Sequence, residues 1–106
     1  MGGSNPQNPH IGLTGKLQVF QINADERRYE LDAEGDVAFA TFRDVAGERQ
    51  LLHFETPQKL RGQGVAGRLM KFVLGHARAE GLGLRARCSY AVDYLRRHPE
   101  AGDVLS

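Results

Sequence analysis

The chain has 106 residues, enough for one domain with one modest core. Its single cysteine, Cys88, excludes an internal disulfide and fits a reducing, cytoplasmic setting; no apolar run approaches the ~20 residues of a membrane-spanning helix. The net charge of +1 hides an asymmetry: residues 1–56 hold five Lys/Arg against nine Asp/Glu, and residues 57–99 hold nine against two, so the basic second half points either to a polyanionic ligand or to a solvated charged surface.

Residues 1–14, beginning "MGGSNPQNPH", are polar and rich in Gly, Pro and Asn. They read as a flexible tail without the apolar core of a signal peptide, ahead of one domain over 15–106. Residues 16–22, "KLQVFQI", alternate: Leu17, Val19 and Gln21 lie opposite Gln18, Phe20 and Ile22, which predicts a first strand. "NADERR" is a polar turn, "YELD" a short second strand and "AEGD" a hairpin turn. "VAFATFR" predicts a third strand, with Val37, Phe39 and Thr41 opposite Ala38, Ala40 and Phe42. After the turn "DVAGE", "RQLLHFET" predicts a fourth, with Leu52 and Phe54 on one face and Leu51, His53 and Glu55 on the other. Pro57 ends it, because proline cannot donate to a ladder.

The period then changes. From Gln63, the residues Val65, Leu69, Phe72, Val73 and His76 follow helical spacing, while Arg68, Lys71, Gly75 and Arg78 form another stripe. This predicts an amphipathic helix ending at Gly81. His76 falls on its apolar face, where a core or boundary role is expected. "LGLRAR" reads as a fifth short strand and "SYAVDYLRR" as a second helix, for which Ser89 can serve as N-cap. Pro99 can open a last short turn or helix, "PEAGDVL".

The helix entry "KLRGQGVAGRLM" places Gly62, Gly64 and Gly67 where the first backbone N–H groups have no internal acceptor. Glycines there let the chain curl around a phosphate, and the helix dipole favours an anion. The competing reading is a helix start packed closely on a sheet. The mononucleotide loop is excluded, since Gly-Lys-Ser/Thr is missing. "GQGVAG" matches the letters of the dinucleotide fingerprint, but the acidic ribose partner downstream is absent and the preceding strand belongs to a meander. One cysteine and scattered histidines give no metal-ligand spacing, and no nucleic-acid motif or interleaved aromatic surface is present.

"RGQGVA", Arg61–Ala66, resembles the Q/R-x-x-G-x-G/A acetyl-CoA motif of the GNAT superfamily of N-acetyltransferases, placed after the fourth strand as in that superfamily. "HFETP", the isolated "CSY" and "YLRRHPE" extend the likeness, over residues 16–105, to a subfamily of very small stand-alone members. The resemblance implies an α/β, GNAT-like fold: a mixed, mainly antiparallel sheet of about five strands, a long central helix and short C-terminal helices. It implies acetyl-CoA or coenzyme A as cofactor, held by Arg61, Gly62, Gln63, Gly64, Val65, Ala66 and Gly67, with Arg96, Arg97 and His98 helping at its phosphates. Strands four and five would part near Glu55 and Cys88 to admit the pantetheine arm. His53 and Glu55 lie where the superfamily draws its general base, and Cys88 would face the acetyl thioester as nucleophile or acyl carrier. The acceptor would be a small-molecule or protein amine.

Each of these residues also has a plainer reading: a small buried hydrophobe for Cys88, a strand histidine for His53, a solvated carboxylate for Glu55, a structural cap for His98. Relatives commonly flank the cysteine with prolines, where Ala86 and Ser89 stand here, and follow H-P-E with an aromatic, where Ala101 stands. Only "NADERR" occupies the place of the helices that wall the acceptor site in larger members, so the acceptor pocket is expected to be shallow or completed by another subunit. The rival function is a coenzyme A-binding protein without catalysis.

Overall fold

The computed structural model describes residues 18–105; the expected tail and the first two residues of the expected first strand lie outside them. Five strands form one sheet in the order β1 (Gln18–Asn23), β2 (Arg28–Ala33), β3 (Asp36–Val45), β4 (Glu48–Glu55), β5 (Gly83–Ala86). β1 to β4 are an antiparallel meander, and β5 joins β4 in parallel after a long crossover. That crossover holds a short 3₁₀ turn at Gln58–Leu60 and helix α1 (Val65–Glu80). Helix α2 (Ser89–Arg97) and a 3₁₀ turn (Pro99–Val104) follow β5. The mixed, mainly antiparallel sheet with its long helix is the fold expected from the sequence.

The core follows from alternation. Tyr29, Leu31 and Ala33 of β2 and Ala38, Ala40 and Phe42 of β3 face α1 and are buried. α1 answers with Val65, Leu69, Met70, Val73, Leu74 and Ala77. Small alanines on β3 let the helix approach closely, and bulkier leucines fill the flanks. His76 is half-buried at the edge of this core, its Nδ1 3.1 Å from the Tyr29 hydroxyl, which also accepts from Arg49 at 3.0 Å.

One expectation fails on β4. Thr41 pairs with His53 and Phe42 with Leu51, so Leu52 is an extra residue and the alternation slips by one. Leu51 and Phe54 therefore share the helix-facing side, while His53 and Glu55 share the opposite one. A strict period of two would have put Leu51 with His53 and Glu55; the bulge separates the core leucine from the two titratable groups.

Both helices pack on the same side of the sheet: α1 on β2 and β3, and α2 on β4 and β5, where Tyr90 meets Phe54 at 5.0 Å between ring centroids. The other side carries polar residues, and no helix among the described residues covers it. Glu30 lies almost buried there, accepting from Gln21 at 2.6 Å, Asn23 at 3.2 Å and Arg28 at 2.6 Å. Burial pushes its pKa up, but the bonds from Arg28, Gln21 and Asn23 together outweigh it and hold the carboxyl below its ordinary 4.5. The unfolded chain thus binds this proton more readily than the folded one. The stabilisation is full above about pH 5 and is lost as pH falls through 4.5 and then through the depressed native value. Thermal midpoints measured from pH 6 to 3 are expected to fall over that window, and Glu30→Gln should flatten the fall. An equally steep fall in that variant would assign acid lability to other carboxylates.

Candidate functional site

Between β4 and α1 the chain turns sharply. Gly62 and Gly64 have φ of +80° and +73°, a left-handed region that a β-carbon makes costly. Gly64 is the N-cap of α1, which begins two residues later than the periodicity predicts because Gln63 belongs to this turn. The first intrahelical bond runs from Arg68 N–H to the Gly64 carbonyl at 3.1 Å. The amides of Val65, Ala66 and Gly67 precede it and have no helical acceptor. No side chain caps them, and the first turn carries no acidic residue, so the positive end of the helix is left uncompensated.

The side chains of the turn bond to neighbouring backbone carbonyls. Arg61 donates to the Thr56 carbonyl at 3.2 Å and Gln63 to the Lys59 carbonyl at 3.0 Å. Arg68 donates to the Gln63 carbonyl at 3.0 Å and to the buried Gln18 side chain at 2.9 Å. Arg68 thereby ties the turn to β1, a role the sequence reading missed: its place on the polar stripe says only that it is not core. The turn's free backbone amides stay unbonded among the described residues. A concavity of about 310 Å³ lies there, lined by the turn and first helical residues together with Thr56, Leu60 and Tyr90. A β-carbon at Gly67 would meet nothing within 4 Å and would intrude on that open space. These features fit a diphosphate: free N–H groups, a helix N-terminus, and bare glycine where the ligand must approach.

Beside this cradle the sheet opens. The last β4–β5 pair is Leu51 with Ala86, and the Arg87 amide still donates to the Leu51 carbonyl at 2.8 Å. Beyond it β4 continues through Glu55, paired only with β3, while the chain after β5 turns into α2. The strands part at the bulge, as the expected gap requires. Cys88 lies two residues beyond the end of β5. It, rather than Ser89, is the N-cap of α2: its sulfur accepts the Ala91 amide at 3.4 Å, and Ser89 is already helical. Cys88 has extended backbone there (φ −113°, ψ 154°), the geometry an N-cap needs.

His53 and Glu55 project from the open side of the sheet, bonded to each other at 2.8 Å between Nε2 and Oε1, and both are exposed. Cys88 packs against the core on the helix side. The structure brings His53 and Glu55 together and keeps Cys88 apart from them, so no Cys–His pair forms. Arg96 and Arg97 both reach Asp93 on the exposed side of α2. His98 stacks on Tyr94, with centroids 4.0 Å apart and planes 14° apart, and its Nδ1 donates to the Tyr94 carbonyl at 2.8 Å. No group of three or more His, Cys, Asp or Glu among the described residues could hold a metal ion.

The site thus joins a glycine cradle at a helix entry to a bulged strand that parts from its parallel neighbour. The family model described as GCN5-related N-acetyl-transferase matches residues 28–104, and the chain belongs to that family. It is similar to the solution structure of a Staphylococcus aureus protein described as a "GCN5-like putative N-acetyltransferase". The TM-score is 0.67 at 31% identity, over 83% of this chain and 87% of that one. No curated protein matches.

Proposed function

We propose that the chain is an acetyl-CoA-dependent N-acetyltransferase acting on an amine, in a reducing cytoplasmic setting. The observation that carries this reading is the junction where the free amides of the Gly62–Gly67 turn meet the edge that β4 leaves beyond Leu51. The amides from Gln63 to Gly67 hold the diphosphate, with Arg61 beside them. The open edge of β4 receives the pantetheine arm. Bound acetyl-CoA supplies an activated acetyl thioester.

The acceptor approaches from the uncovered side of the sheet, where His53 and Glu55 wait. His53 accepts the proton that the amine loses as its nitrogen bonds the acetyl carbon, and that proton then passes to the departing thiolate. Glu55 orients the imidazole through their 2.8 Å bond. Arg96 and Arg97 attract the phosphates at longer range. A second reading rests on one observation: Cys88 follows β5 and caps α2 with its sulfur, and that thiol would carry the acetyl group.

Release of coenzyme A from acetyl-CoA, measured with a panel of amines, tests these roles. Amine-dependent release that survives in Cys88→Ala is the expected result. Release lost in that variant, with an acetyl mass gain on the wild-type chain, would move the step onto the thiol. Binding without amine-dependent release would leave a cofactor-binding protein without catalysis.

A further inference from the structure

Thr41 stands at a crossing on the uncovered side of the sheet. It pairs with Arg28 of β2 and with His53 of β4, and Arg43 follows it two residues along β3. The strands alternate, and the slip at Leu52 keeps His53 in step with Gln50, so all these side chains share that side. Paired neighbours lie about 5 Å apart on such a face, and diagonal ones about 7–8 Å.

Both arginines are fixed, and both keep donors unused. Arg43 donates to the carboxamide of Gln50, itself 9% exposed, at 3.1 Å. That partner is neutral, and Arg43 has no ion-pair partner among the described residues. Arg28 gives its Nε to Glu30 at 2.6 Å and lays its guanidinium over the Phe39 ring, 4.3 Å from the centroid. Its two Nη groups make no bond among the described residues. Arg49 and Arg78 behave differently: each closes Nε and Nη2 on one carboxylate, Asp44 and Asp103.

We infer that the acceptor is an α-amino acid, its amine at His53 and its carboxylate over Thr41 between Arg28 and Arg43; the inference rests on the transferase reading above. One carbon separates amine from carboxylate in such a molecule. With a hydrogen bond of about 3 Å at each end it spans about 8–9 Å, close to the diagonal from His53 to Arg43. The Thr41 hydroxyl adds a donor between the two cations. The amine nitrogen bonds the acetyl carbon as the thioester C–S bond breaks. The amine's proton passes through His53 to the coenzyme A thiolate, and the products are an N-acetylamino acid and coenzyme A. A diamine would set its second cation against two guanidinium groups.

Acetyl-CoA turnover by the full chain, with α-amino acids and their carboxamides as acceptors, tests this. The readout is the change on mutation in the acid-to-amide ratio of kcat/KM, in which differences in amine basicity cancel. Arg43 is exposed, so its replacement leaves the core intact. Arg43→Gln is expected to lower the ratio about tenfold, the scale of one charge-assisted contact. The loss should fall on KM for the acid, with amide turnover and KM for acetyl-CoA unchanged. Thr41→Val should lower the ratio about threefold, the scale of one neutral hydrogen bond. Arg85→Gln removes a cation of the same side that is bonded to Glu48 at 2.8 Å, and should leave the ratio unchanged. An unchanged ratio in Arg43→Gln, an equal fall in Arg85→Gln, or turnover of alkylamines or diamines without amino acids would overturn the inference while the transferase reading stands. No turnover with any amine would bring down that reading, and the inference with it.

Discussion

Gly64→Val is expected to weaken coenzyme A binding at least thirtyfold while the chain still folds. Position 64 sits at φ +73°, where a β-branched residue is strained by about 1–2 kcal/mol. The new β-carbon would also lie 3.4 Å from Nη1 of Arg68, which donates to the Gln63 carbonyl within the turn. The turn can relieve that backbone strain only by rotating, and rotation turns its amides away from the ligand. Losing one or two charge-assisted bonds of roughly 1.5–3 kcal/mol each gives a loss of that size. The strain removes only part of the 5–15 kcal/mol typical of domain stability, so a cooperative thermal transition should persist at a lower midpoint. Unchanged affinity in the folded variant would mean that the glycines serve helix packing alone.

His53→Gln is expected to lower kcat by about 10²–10⁴ with little change in KM for acetyl-CoA, because proton transfer is lost and cofactor contacts are kept. His53 is 58% exposed, so its replacement leaves the core untouched. Glu55→Gln should cost less, about tenfold, since a carboxamide oxygen still accepts the imidazole N–H but does not stabilise its cation. An unchanged kcat in His53→Gln would place the proton acceptor elsewhere.

Much of this architecture was legible in the residues. Alternation in "VAFATFR" assigns Ala38, Ala40 and Phe42 to the core face, and the helical spacing after Gln63 marks the buried stripe of α1. The glycine turn was legible because glycine adopts its left-handed φ values at the least cost. The bulge was not: a one-residue slip depends on how β4 pairs with β3, and nothing local in "RQLLHFET" announces Leu52 as the extra residue. The exchange of Ser89 for Cys88 as helix cap has a similar cause, since both precede the same apolar spacing and only the backbone decides which is extended. The tie from Arg68 to Gln18 joins residues 50 positions apart, beyond the reach of any periodicity.

The central claim is that the free amides at the mouth of α1 hold the diphosphate of coenzyme A. Titration of the labelled protein with coenzyme A, followed by amide chemical shifts, addresses those amides directly. The account predicts saturable shifts centred on Gln63 to Gly67, spreading along β4 from Leu52 to Glu55 and to the start of α2. Saturable binding whose shifts fall elsewhere and spare the glycine turn, or no shifts at all, would contradict it.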